Sequence, residues 1–115
     1  MRLTAFAVLM GLSATPALAA DGAKVFAAQC KVCHQANTSV MAPSLAGVKG
    51  AKIASKPGFN YSAGLKAKAS QTWTDANLDA FLTKPGAFAP GTRMVIAVPS
   101  AENRAALIQY LGTLK

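Results

Sequence analysis

Cys30-Lys31-Val32-Cys33-His34 is the stretch on which the reading of this chain turns. Two thiols three positions apart, followed at once by an imidazole, form the C-x-x-C-H pattern of covalent c-type haem attachment. Each thiol can add to one vinyl group of a haem, giving two thioether bonds. His34 then lies under the iron, where a ring nitrogen can serve as proximal ligand. Spacing and order are both needed, because a histidine further along could not reach a metal tethered at these two sulfurs. Other uses of a C-x-x-C pair fit less well. A redox dithiol belongs beside a βαβ pattern, and the chain shows no convincing strand–helix–strand alternation. Zinc needs about four ligands, whereas the chain holds two Cys and one His. A disulfide between such close neighbours would close too small a loop to be useful, and it leaves His34 unexplained.

Upstream of the motif, residues 1–20 read as an export signal. Arg2 supplies the positive start, Leu3 to Leu12 is an uncharged run rich in apolar residues, and Ala17-Leu18-Ala19 is an A-x-A cleavage pattern. The apolar run is shorter than the ~20 residues that span a bilayer, and Pro16 follows it, so a retained anchor is disfavoured and no stable membrane insertion is expected. Cleavage after Ala19 or Ala20 leaves one domain over residues 21–115. Export agrees with covalent haem, and together they point to the periplasm. A domain of about 95 residues builds only a modest core, and such chains often lean on a cofactor. One buried haem c would supply a large apolar plate, so the haem-free chain is expected to fold poorly.

The charge is basic, with twelve Lys and Arg against four Asp and Glu, a formal +8. Without Arg2, eleven basic residues face Asp21, Asp75, Asp79 and Glu102, which leaves +7. That balance favours anionic partners. An exported protein does not normally meet nucleic acid, and the lysines are scattered singly with no arginine-rich run or interleaved aromatics. No nucleic-acid partner is therefore expected, and a merely solvated basic surface is the bland alternative to docking. The expected partners are redox proteins with acidic docking surfaces.

Helical signals are intermittent. Asp21 is an N-cap for a helix over about residues 22–31, with Gly22 and Phe26 sharing one face. From Gln35 to Tyr61 periodicity disappears among Asn, Ser, Pro and Gly. So long an irregular stretch suits a compact domain only where its residues pack on a cofactor. Within it, Pro43 is a candidate to accept from the second imidazole nitrogen of His34, with a plain turn residue a nearly equal reading. A short helix is expected over residues 63–69 behind Ser62. Thr74 caps another over 75–83, which buries Leu78, Phe81 and Leu82, and Pro85 ends it. Trp73, the single tryptophan, and Tyr61 each pair an apolar body with a polar tip able to meet a haem propionate. A last helix starts at Pro99 and Ser100 and runs to about Thr113. Its Leu107, Tyr110 and Leu111 are placed to pack across Gly22 and Phe26.

A second axial ligand must come from few residues. There is no second histidine, and beyond the signal only Met41 and Met94 remain. Met94 ends Ala89-Pro90-Gly91-Thr92-Arg93-Met94, a turn rigid at Pro90 that presents one side chain reproducibly. Met41 lies close to His34 in sequence, on a loop suited to the proximal side. Met94 is therefore the candidate. A thioether favours the ferrous state and raises the potential.

With these residues in place, the chain resembles a class I c-type cytochrome of the bacterial c2 and mitochondrial type. The resemblance covers nearly all of the mature chain: Gly22 and Phe26, then Cys30, Cys33 and His34, then Pro43-Ser44-Leu45-Ala46-Gly47. It continues through Pro57-Gly58-Phe59-Asn60-Tyr61, Trp73, Pro90-Gly91-Thr92-Arg93-Met94, and Leu107 with Tyr110. It implies an all-α fold of four to five helices and long loops around one covalent haem, with His34 and Met94 axial. It further implies that Pro43 accepts from His34, that Tyr61 and Trp73 approach a propionate, and that Thr92 helps hold the Met94 loop. Departures are also visible. Phe81 replaces a tyrosine whose hydroxyl meets the Met sulfur, Ile96 replaces a phenylalanine at the haem edge, and Ala51 replaces an arginine unless Lys52 substitutes. Gln29, Gly86 and Ser100 stand where lysines are common, leaving Lys24, Lys31, Lys84 and Arg93 as docking candidates.

The expected function is that of a monomeric periplasmic monohaem carrier, not an enzyme, moving one electron between redox proteins of a respiratory or photosynthetic chain or from a periplasmic dehydrogenase. A haem subunit dedicated to one dehydrogenase is the alternative. A haem peroxidase or gas-binding protein would need an open iron, and no distal His or Arg pair accompanies the motif.

Overall fold

Asp21 begins the first helix by accepting from the backbone N–H groups of Ala23 at 3.0 Å and Lys24 at 3.4 Å, donors that have no partner inside a helix. That helix, α1 (Gly22–Gln29), is the first of five in a computed structural model that describes residues 20–115. The expected export signal lies, but for residue 20, outside the described residues. α1 stops two residues short of the expected end, with Cys30 as its C-cap. The motif then rides on a tight turn, in which Cys33 N–H and His34 N–H both donate to the Cys30 carbonyl, at 3.2 and 2.8 Å.

Ser62 caps α2 (Ala63–Lys66) and Thr74 caps α3 (Asp75–Thr83), each accepting from the N–H three residues on. Residues 67–69 continue as turns rather than helix. Pro85 does not simply end α3. Lys84 breaks the helix with extended backbone, and Pro85 opens α4 (Pro85–Phe88) at N1, where a missing N–H costs nothing. Ser100 caps α5 (Ala101–Leu111) through the Asn103 N–H at 3.2 Å.

The two ends of the domain meet where α1 crosses α5. Gly22 makes the crossing close: a Cβ there would lie 2.1 Å from the Ala106 carbonyl oxygen. Phe26 meets Tyr110 with ring centroids 5.2 Å apart. α5 also packs on α3, and α3 on α4. Arg104 fastens the start of α5 by donating to Asp79 at 2.8 Å and to the carbonyls of Val98 and Pro99. The core centres on Ile53, Val98 and Leu107, all sealed from solvent, beside a group of rings formed by Trp73, Phe81 and Phe88.

The long irregular stretch is anchored by backbone bonds. Gly50 N–H donates to the Trp73 carbonyl at 2.9 Å, Trp73 N–H to the Ala51 carbonyl at 2.8 Å, and Ile53 N–H to the Gln71 carbonyl at 2.9 Å. They make an isolated antiparallel bridge, Lys52 to Thr72, the single such pairing among the described residues.

Candidate cofactor site

Where the turn after α1, the inner faces of α3 and α5 and the loops converge, they enclose a cavity of about 340 Å³. Its walls are mainly aliphatic, with Leu45, Val48, Leu65, Leu82, Leu107 and Leu111 among them. All eight residues singled out from the sequence line it: Cys30, Cys33, His34, Pro43, Tyr61, Trp73, Thr92 and Met94. Leu82, Leu107 and Leu111 were recognisable from helical periodicity. Leu45, Val48 and Leu65 belong to loops or a single helical turn, and no helical periodicity marked them.

The turn after α1 brings both cysteines and His34 to one wall. Cys30 is buried and Cys33 half-buried, and both thiols are free. Burial pushes the Cys30 thiol up to about 11, far from the depressed values of a nucleophilic redox pair. His34 Nδ1 stands 2.9 Å from the Pro43 carbonyl oxygen. A carbonyl can only accept, so Nδ1 carries the proton and Nε2 keeps its lone pair for a metal. Burial lowers the His34 pKa below its ordinary 6.5, the Pro43 bond acting the other way. The neutral, ligating imidazole is thereby favoured.

The other sulfur arrives on the loop after α4. Thr92 N–H donates to the Ala89 carbonyl at 3.0 Å, and Gly91 takes the left-handed backbone that the turn requires, with φ +83°. Thr92 Oγ1 accepts from the Met94 N–H at 3.3 Å. Met94 is half-buried against the core, whereas Met41, on the same cavity, is 66% exposed at its mouth. Of the two thioethers, Met94 is the one held in place.

Polar tips gather on another part of the wall. The Tyr61 hydroxyl accepts from the Lys56 N–H at 3.2 Å, which leaves its own proton to donate. Burial raises its pKa, with the Lys56 bond opposing. Trp73 is buried, but its indole N–H has no acceptor among the described residues. No buried side-chain N or O among the described residues is sealed away without a partner, so this N–H is not closed off in the core. Lys52 and Lys56 line the same region, although the Lys52 ammonium donates to the Ser70 carbonyl at 3.1 Å. Phe81 sits in the core against Trp73 and Phe88. Ile96 is 44% exposed, beside the more exposed Val95.

These residues fit a flat apolar macrocycle. Two thiols can hold one edge, a lone-pair nitrogen and a thioether sulfur can meet a metal, and unengaged donors can meet carboxylates. No helix among the described residues is long and apolar enough to cross a membrane.

Comparison with known proteins agrees with that fit. A family model described as Cytochrome c matches residues 19–115. A cytochrome c2 from Rhodomicrobium vannielii is 41% identical over 96 residues, covering 80% of this chain and 75% of that protein. Two solved structures share the architecture. Cytochrome cH from Methylobacterium extorquens superposes with a TM-score of 0.73 at 36% identity, covering 80% of this chain and 94% of that one. The ferricytochrome c2 of Rhodopseudomonas palustris gives 0.74 at 32% identity, covering 82% and 96%.

Proposed function

Because the chain belongs to the cytochrome c family, with its all-α class I fold and covalently bound haem c, we propose that it is a periplasmic one-electron carrier between redox proteins, its iron ligated by His34 and Met94. Members of this family are electron carriers rather than enzymes. When bound, the haem supplies reversible exchange of a single electron between ferrous and ferric iron.

The observation that carries this reading is the His34–Pro43 hydrogen bond at 2.9 Å beside two free cysteines. The Pro43 carbonyl fixes the tautomer, so His34 offers Nε2 and no competing proton. Cys30 and Cys33 would hold the haem covalently through their sulfurs. Thr92 steadies Met94 by accepting from its N–H, and the Met94 sulfur would be the second ligand to the iron and would favour the ferrous state. Tyr61 and Trp73 would donate to a propionate, hydrogen bonds that would stabilise its negative charge. The aliphatic wall excludes water and so lowers the reorganisation that accompanies each electron.

Cleavage after residue 20 would release the domain over residues 21–115 into the periplasm. Lys24, Lys31, Lys84 and Arg93 are exposed, which supports docking on acidic partners. The test is a spectroelectrochemical titration paired with oxidation by ferricyanide, an anionic probe. A single one-electron wave is expected, with an oxidation rate that falls about tenfold as salt is raised to screen the positive surface. A rate indifferent to salt would remove the cationic docking surface, and a multi-electron wave would remove the monohaem carrier.

A further inference from the structure

Gly64, the second residue of α2, has helical backbone that any residue could adopt, yet no side chain fits there. A Cβ would lie 2.1 Å from the Pro90 carbonyl oxygen and 2.8 Å from the Ala89 carbonyl carbon. Pro90 opens the loop that ends at Met94, so the main chain of α2 rests directly on the start of that loop. The far end of the loop is tied to the same segment. The Arg93 guanidinium donates to the Asn60 carbonyl and lies 5.3 Å from the Phe59 ring centroid. Residues 59–64 thus grip the loop just before Met94 on one side and at Pro90 on the other.

We propose that Gly64 is a positioning residue for Met94, and that residues 59–64 act as a clasp setting how firmly the sixth coordination position is closed. This rests on Met94 being the distal ligand. The clasp contacts exist only while the loop is seated. A perturbation confined to them penalises the closed state and leaves the open one untouched, so the open population and the apparent affinity for an external ligand rise together. Alanine at 64 adds a clash in the seated state alone. Loss of the Arg93 contacts acts in the same direction but less, because that side chain is exposed.

The test titrates the ferrous holoprotein with carbon monoxide and measures its midpoint potential, for wild type, Gly64→Ala, Arg93→Gln, Gly86→Ala and Met94→Ala. Gly86 is a helical glycine with nothing within 4 Å of a new Cβ, so its variant controls for the added methyl. Gly64→Ala should gain carbon monoxide affinity about tenfold, equivalent to ~1.4 kcal/mol, and its potential should fall. Arg93→Gln should gain about threefold. Gly86→Ala should match wild type. The clasp is overturned if Gly64→Ala and Arg93→Gln both track Gly86→Ala while Met94→Ala binds carbon monoxide strongly. It is equally overturned if Gly64→Ala merely melts earlier with potential and affinity unchanged. Should Met94→Ala fail to open the iron, the distal assignment itself falls. If Gly64→Ala does not fold, Arg93→Gln decides the question.

Discussion

Replacing Gly22 with alanine tests the contact that joins the two ends of the domain. The new Cβ would sit 2.1 Å from the Ala106 carbonyl oxygen, 2.7 Å from its carbon and 2.9 Å from the Tyr110 Cβ, where ordinary contact begins near 3.4 Å. Two of these neighbours are backbone atoms of α5 and cannot rotate aside. α1 must therefore back away by more than about 1 Å, loosening the Phe26–Tyr110 pair and the mouth of the haem turn with it. Overpacking of this kind costs ~1–3 kcal/mol. The better helix propensity of alanine returns at most ~1 kcal/mol, and less at the first helical position, so a net loss of about 2 kcal/mol is expected. For a domain of this size each kcal/mol moves the melting temperature by ~4–8 °C, which predicts a drop of about 8–16 °C. Thermal unfolding of the ferric protein by far-UV circular dichroism measures it, with Gly86→Ala as the open-space control. If Gly22→Ala melts at or above wild type, the close crossing of α1 on α5 is wrong.

Met94→Ala should lower the reduction potential by more than about 59 mV, the shift that a tenfold preference for one oxidation state produces for one electron; protein-film voltammetry showing no shift would refute the ligand. Substituting both Cys30 and Cys33 with Ser removes the covalent attachment. Losing the contents of a cavity of about 340 Å³ at ~24 cal/mol per Å³ gives an upper bound of about 8 kcal/mol, as large as the whole stability of many domains. The haem-free product should then show no sharp urea transition, and a cooperative one would mean that the core stands without the cofactor. Tyr61 is held by burial above its ordinary value near 10. A group raised in the folded state contributes stability that is complete below pH 10 and lost as pH climbs through the folded value. Tyr61→Phe should accordingly flatten the decline of unfolding free energy above pH 10, and an unchanged slope would show that its burial is not felt.

What could be read before folding was what is local. Thr74 and Ser100 announce α3 and α5 because their caps bond only three residues ahead, and Leu78, Phe81 and Leu82 recur at helical spacing. The haem motif is likewise contained in five adjacent residues. α1 overshot by two residues because no Gly or Pro precedes the motif; its end is set by the turn that presents the two thiols and His34. Pro85 was read only as a stop, although the same missing N–H that ends one helix suits the first position of another. Of the contacts between distant segments, the packing of α5 across Gly22 and Phe26 was legible because both faces lie on periodic helices, whereas contacts that involve loops were not. The bridge from Lys52 to Thr72 joins residues of ordinary composition. Gly64 reads as one residue of a short helix, yet it is needed for space against the Pro90 carbonyl, whereas Gly91 is needed for its φ. Nothing in a sequence separates those two uses. Pro43, Tyr61 and Trp73 were candidates from their own chemistry, and the resemblance singled out a role for each that a loop residue acquires only once the cavity has formed.

The account stands most directly on one claim, that His34 and Met94 close both axial positions of a single covalently held haem. The visible spectrum of the ferrous protein, taken before and after carbon monoxide, tests it. A low-spin c-type spectrum left unchanged by the gas, with the haem remaining on the polypeptide through acid extraction, is the predicted result. A spectrum that shifts strongly on adding carbon monoxide would mean an open iron and would contradict the account.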